Sequence, residues 1–156
     1  RLARRLACPK CGTHVGDVFG GSDAALYRHR LLGDDASATA FVASLLAREV
    51  SASNATAFRL VSGSSSLGVR VLATGGHAAA LGAAAPSSIV ALASTLSCSF
   101  RRDVAPSSTL LDVALEADEL AAVAADLEAA KSGAADGAWA LATWAPAGFA
   151  DAVGGF

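Results

Sequence analysis

The feature that most constrains this chain is Cys8-Pro9-Lys10-Cys11-Gly12, two thiols on a stretch that has to turn. Pro9 presets one backbone angle, and Gly12 permits the left-handed angle such a turn commonly needs. Both sulfurs then point at one centre. This is the shape of one zinc knuckle, and a structural zinc takes four ligands. We therefore read Cys8 and Cys11 as half of a metal site, with zinc as the cofactor. His14, three residues after Cys11, is a possible further ligand, and so is Cys98, the third cysteine. Nothing in the spacing demands either. The chain opens Arg1-Leu2-Ala3-Arg4-Arg5 without an initiator Met, so we expect a piece of a longer protein with the missing ligands on chain outside it. A redox pair is the weaker alternative: such pairs usually open a helix after a strand, and Gly12, Thr13 and β-branched Val15 start a helix poorly. A structural disulfide and two free thiols stay open.

Size and charge narrow the rest. At 156 residues the chain is one domain, or one half of a larger one. A chain of this length buries roughly 68–70% of its unfolded surface, enough for a true core. A net charge of −2 gives no general reason to expect nucleic acid or an anionic membrane as partner. Arg1, Arg4, Arg5 and Lys10 read as a solvated basic start. Three cysteines are too few for a disulfide scaffold, so a cytoplasmic or nuclear home is expected. From Val71 to Phe100 no residue is charged except, when protonated, His77, and the length would cross a bilayer. Ala, Gly and Ser dominate it and Pro86 interrupts it, so we do not read a membrane span. Nor does an apolar run follow the basic start, as a signal peptide would require.

Taken in order, Val15 to Phe19 reads as a strand leaving the metal turn. Leu26 to Leu31 alternates partly and reads as a second strand, with Arg28 and His29 on its solvent face. Phe41, Val42, Leu45, Leu46 and Val50 share one helical face behind Ser37, a suitable N-cap. Ala57 to Ser62 and Leu67 to Thr74 form a hairpin around a Gly/Ser loop, with Gly75-Gly76-His77 closing the unit. Ala78 to Ala85 is ambiguous, and Ile89 to Leu96 suits a buried strand or a short helix equally. Leu110 to Leu115 reads as a strand. Asp118 to Lys131 is a helix with Leu120, Val123, Ala124 and Leu127 on one face and acids at its start. Ala138 to Ala145 is a last strand, with Trp139, Leu141 and Thr143 on one side and Trp144 on the other. The Gly154-Gly155 tail carries no expected element. Strands with two main amphipathic helices and no regular βαβ alternation specify an α+β fold, antiparallel and β-rich, as a single domain over 1–156 with the knuckle over 8–16. No phosphate loop and no Ser/His/Asp set is legible.

The order of these pieces resembles a known family. A knuckle of form Cys-x-x-Cys-x-x-x-φ-Gly leads to a strand carrying Tyr27. Then come the helix Phe41-Val42-Ala43-Ser44-Leu45-Leu46-Ala47, the segment Ala55-Thr56-Ala57-Phe58-Arg59-Leu60, a Gly/Ser loop and Val69-Arg70-Val71-Leu72. This is similar to the C-terminal half of the HECT-like proteins that bind ubiquitin-conjugating enzymes. The likeness runs from Cys8 to Leu72 and, more loosely, from Leu115 to Phe149. It implies an earlier Cys-x-x-Cys upstream of Arg1 to complete the zinc site. It also implies a ubiquitin ligase that engages a ubiquitin-conjugating enzyme and accepts ubiquitin as a thioester. Some members associate with the endonuclease of pre-mRNA 3′-end cleavage, which makes that endonuclease a possible partner. A thioester would need a cysteine outside the metal site, and Cys98 is the one left. Arg101 and Arg102 stand near it in sequence, where cations can lower a thiol's pKa. The plainer reading of Cys98 is a small buried hydrophobe. Two other functions fit the same residues. One is a non-catalytic partner-binding, chaperone or inhibitor domain, with the hairpin surface around Arg59 and Arg70 as its contact. The other resembles the zinc-stapled β-tent of yippee-like binding modules, which are nearly all β.

Overall fold

A computed structural model describes residues 4–19, 22–32, 35–80, 91–134, 138–146 and 149. The knuckle sits in a small antiparallel sheet of β1 (Arg4–Ala7), β2 (His14–Phe19) and β3 (Asp23–Leu26), in that order. A short helix α1 (Arg28–Leu32) leads from it to the long α2 (Asp35–Ser53). A six-stranded sheet follows, built from β4 (Ala57–Ser62), β5 (Ser65–Ala80), β6 (Ala91–Arg102), β7 (Leu111–Ala114), β8 (Lys131–Ala134) and β9 (Ala140–Trp144), with α3 (Ala117–Ala129) between β7 and β8. Its order is β7-β4-β5-β6-β9-β8. All pairs are antiparallel except β4 with β7. The architecture is α+β, as the patterning predicts. The helices α2 and α3 do not fit a nearly all-β tent.

Alternation decides which side of the large sheet is buried. Phe58 and Leu60 on β4, Leu67, Val69 and Val71 on β5, Leu96, Cys98 and Phe100 on β6, and Ala142 and Trp144 on β9 form the core face. Helix α3 lies against β4, β5 and β9, and α2 against α3 and β5. On α3 the expected stripe of Leu120, Val123, Ala124 and Leu127 is buried. On α2 the buried stripe turns toward small residues: Ala38, Val42, Ala43, Leu46 and Ala47 are inside. Phe41, Leu45 and Val50 are only partly covered. Val42 and Leu46 keep their expected places inside with the alanines beside them, and Phe41 packs against Tyr27 and His29 at the margin.

The strand expected over Leu26 to Leu31 is not formed. β3 ends at Leu26, and the backbone N–H groups of Arg30 and Leu31 both donate to the Tyr27 carbonyl, at 3.1 and 3.3 Å, starting α1. His29 is consequently buried at 5% exposure and not on a solvent face. Gly75 and Gly76 do not close the hairpin either. β5 runs on through them to Ala80, paired with β6, with irregular register between Val71 and Gly76. Ala91 to Leu96 is strand, which resolves that ambiguity, and Lys131 opens β8 in place of ending the helix. Helix α2 begins before Ser37, at Asp35. The segment 81–90 and the Gly154-Gly155 tail lie outside the described residues.

Among the described residues no helix is long and apolar enough to cross a membrane.

Candidate functional site

The Cys8–Cys11 turn joins β1 to β2 as a tight loop. Cys8 N–H donates to the Thr13 carbonyl at 2.8 Å, and Gly12 N–H donates to the Cys8 carbonyl at 2.8 Å. Gly12 has φ of 73°, the left-handed conformation for which glycine suits this place. Both cysteines are free, with Cys11 exposed and Cys8 half-buried. The Cys11 thiol lies 3.2 Å from the Thr13 hydroxyl. Hydrogen bonds from the Thr13 hydroxyl and backbone, and from Cys8, hold its pKa below the ordinary thiol value. A soft pair of sulfurs is the right chemistry for zinc. Among the described residues no third histidine, cysteine or carboxylate joins them as a metal-holding group. The residues present thus fit two of the four ligands a structural zinc takes.

His14 has one ring nitrogen engaged by a carboxylate. Its Nε2 lies 2.8 Å from Asp17 Oδ1, and its ring stands edge-on to Tyr27 with centroids 5.3 Å apart. The Tyr27 hydroxyl donates to the other Asp17 oxygen. That hydrogen bond is the main reason the Asp17 carboxyl is held below its usual range. Burial, then the Asp17 bond, pushes the Tyr27 phenol up to about 12.

Behind the knuckle lies a cluster of charged groups that the sequence reading does not contain. Glu119, on the first turn of α3, is 1% exposed. Its Oε1 accepts from Arg30 Nη2 at 2.6 Å and from the Glu116 backbone N–H at 2.8 Å. Its Oε2 accepts from His29 Nε2 at 2.5 Å and from Arg30 Nε at 3.0 Å. Arg30 Nη1 donates to the His14 carbonyl at 2.7 Å. One guanidinium therefore bridges the knuckle's own strand and the first turn of α3. Phe41 packs beneath, with its ring centroid 4.8 Å from Tyr27 and 4.7 Å from His29. Burial by itself would raise the Glu119 pKa. The bonds from Arg30, Glu116 and His29 outweigh it, so the carboxyl stays below its ordinary value. Burial would favour a neutral Arg30, and the same pairing with Glu119 holds it charged.

Chemically this cluster is a clamp. Both Glu119 oxygens carry two donors, and all three Arg30 nitrogens are engaged. Neither carboxylate oxygen of Glu119 is left without donors. What the cluster does is hold the knuckle sheet, α1, α2 and α3 in one arrangement. Its one sequence signal is the pair Glu116 and Glu119, spaced so that the second acid can bond back to the first residue's amide. Nothing local distinguishes that acid from a solvated one.

Cys98 lies in the middle of β6, paired with Val71 and Ala142, and is fully buried. Burial pushes its thiol up to about 12. Arg101 and Arg102 are exposed beyond it and do not lower it. The Arg102 guanidinium pairs at the surface with Glu128, at 3.6 Å. Cys98 thus occupies the place of a core hydrophobe, far from the state of an activated nucleophile.

Comparison with protein-family models, with curated proteins and with solved structures returns no match to this chain.

Proposed function

We propose that this chain is a protein-binding module of the ubiquitin-conjugation pathway, with a ubiquitin-conjugating enzyme as its partner and Cys8 and Cys11 as one half of a structural zinc site. The observation that favours binding over catalysis is the burial of Cys98: a thioester acceptor has to meet its donor, and a neutral thiol inside a sheet does not. The resemblance in the order of knuckle, helix and hairpin supports the choice of partner. In this reading zinc cross-links the knuckle to a second pair of ligands outside this chain. The clamp of Arg30 and Glu119 holds the knuckle sheet rigidly on the domain, so that metal binding fixes the domain as well. The endonuclease of pre-mRNA 3′-end cleavage is the client in the chaperone or inhibitor version of the same proposal.

Two measurements on the purified chain test this. Zinc content beside Cys8→Ser should come to less than about half an ion per folded monomer, as a half-site requires. About one zinc per chain, lost in the variant, would mean a complete site with His14 or Cys98 recruited. Charged ubiquitin-conjugating enzymes should bind the chain without passing ubiquitin to it. A reductant-sensitive ubiquitin adduct on the chain that disappears in Cys98→Ser would establish the ligase reading instead. Failure of every purified conjugating enzyme to bind would refute the partner.

A further inference from the structure

The outer face of the six-stranded sheet, turned away from α2 and α3, carries a groove of about 410 Å³ that neither the knuckle nor the core accounts for. Its floor is set by register. Arg70 stands opposite Ser99 and Gly68 opposite Arg101, so Arg70 and Arg101 project from the same face of adjacent strands as diagonal neighbours. Trp139 closes one end by lying on Gly68. A Cβ at Gly68 would sit 2.6 Å from the indole and 2.7 Å from Val104, so a side chain there would expel both walls. The Arg70 guanidinium lies 4.0 Å from the centroid of the Trp139 ring, a cation–π stack that fixes its plane while leaving the residue exposed. Opposite runs the chain after β6. It is pinned by the Val104 carbonyl, which accepts from Arg59 Nε at 2.8 Å and from the Ser66 hydroxyl at 2.9 Å. Pro106 and Leu110 complete that wall. The groove is therefore preformed, with the buried indole of Trp139 at one end, Pro106 and Leu110 along one wall and two cations at its rim.

Those cations differ from their neighbours. Arg59 pairs with Asp112 at 3.1 Å and Arg102 with Glu128 at 3.6 Å. Among the described residues neither Arg70 nor Arg101 has an ion-pair partner. Asp103 also lines the groove, so its lining carries two guanidiniums against one carboxylate. The groove opens to solvent on the exposed face of a sheet, which suits a peptide segment better than an enclosed small molecule. We propose that this groove docks an acidic, extended peptide segment of a partner protein, with carboxylates on Arg70 and Arg101 and an apolar side chain against Pro106 and Leu110. The site is independent of the knuckle and of any zinc.

The test is fluorescence anisotropy of a short fluorescein-labelled peptide of alternating glutamate and leucine, with the lysine–leucine peptide as control, against the whole chain at low salt. The acidic peptide should bind, more weakly as salt rises, and the basic one should not. The double variant Arg70→Glu, Arg101→Glu should lose at least about tenfold in affinity. Both residues are exposed, so the variant should keep the parent's circular dichroism and a cooperative melt, lowered only by loss of the Arg70–Trp139 stack. No binding of the acidic peptide, equal binding of the basic one, or undiminished binding by the folded double variant would each overturn the proposal.

Discussion

Glu119→Gln is the sharpest test of the clamp. The substitution keeps shape and volume and removes only the charge and two lone pairs. In the native cluster each carboxylate oxygen accepts two donors: Arg30 Nη2 and the Glu116 amide on one, His29 and Arg30 Nε on the other. Whichever way the new amide is turned, its NH₂ faces two donors. Two charge-assisted hydrogen bonds are lost, at about 1.5–3 kcal/mol each. The Arg30 guanidinium is left buried without its carboxylate, and breaking such a pair costs about 3–5 kcal/mol. We expect about 3–5 kcal/mol at neutral pH, a large part of the roughly 5–15 kcal/mol that holds a domain. For this size the melting temperature should fall by roughly 6–20 °C. Because the folded carboxyl titrates below its unfolded value of about 4.3, the unfolded chain takes the proton first as pH falls. The stabilisation is thus present above that value and lost as pH drops through the lower folded value. Parent and variant should converge in urea unfolding as the pH is lowered. A loss under about 1 kcal/mol at neutral pH, with no pH dependence in the difference, would refute a charged, fully paired Glu119.

Tyr27 is the one tyrosine, so its phenolate absorbance is read without interference from another. The native titration midpoint should lie near 12 against about 10 in urea, and the stability tied to it should be present below about 10 and lost as pH rises through the native value. Gly68→Ala forces a methyl into Trp139 and Val104 and should destabilise by about 1–3 kcal/mol in urea unfolding; an unchanged midpoint would mean that the indole does not lie on the sheet. In the metal-free chain a thiol reagent should label Cys8 and Cys11 quickly and Cys98 only as fast as the protein opens. Rapid labelling of all three would show that Cys98 is accessible.

Much of the local structure is legible in residue patterns, because it depends on neighbours a few positions apart. The α3 stripe, the β4–β5 hairpin and the turn that presents Cys8 and Cys11 all follow from periodicity or from a turn residue in place. The α2 stripe is legible only in part: the helix is correct and Val42 and Leu46 lie inside, but alanines share the buried face and Phe41 packs against Tyr27 and His29 at the margin. The short helix α1 is not legible. Tyr27 to Leu31 has no decisive local preference, and the turn there places His29 and Arg30 on Glu119, some ninety positions away, at sequence separations of 90 and 89.

Sequence by itself determined an α+β chain with a Cys-x-x-Cys turn, two main helices and strands whose apolar residues alternate. Those are consequences of covalent geometry and of burying one face of each element. Only the tertiary structure decided which acid is buried, which arginines lack an ion pair among the described residues and that Cys98 is sealed inside a sheet. Charge and hydrophobicity are properties of a residue, but burial and pairing are properties of its surroundings. Glu119 and Glu128 are equally acidic in the sequence. One closes the clamp at 1% exposure and the other meets Arg102 at the surface, because only the first lies where α1 crosses the start of α3.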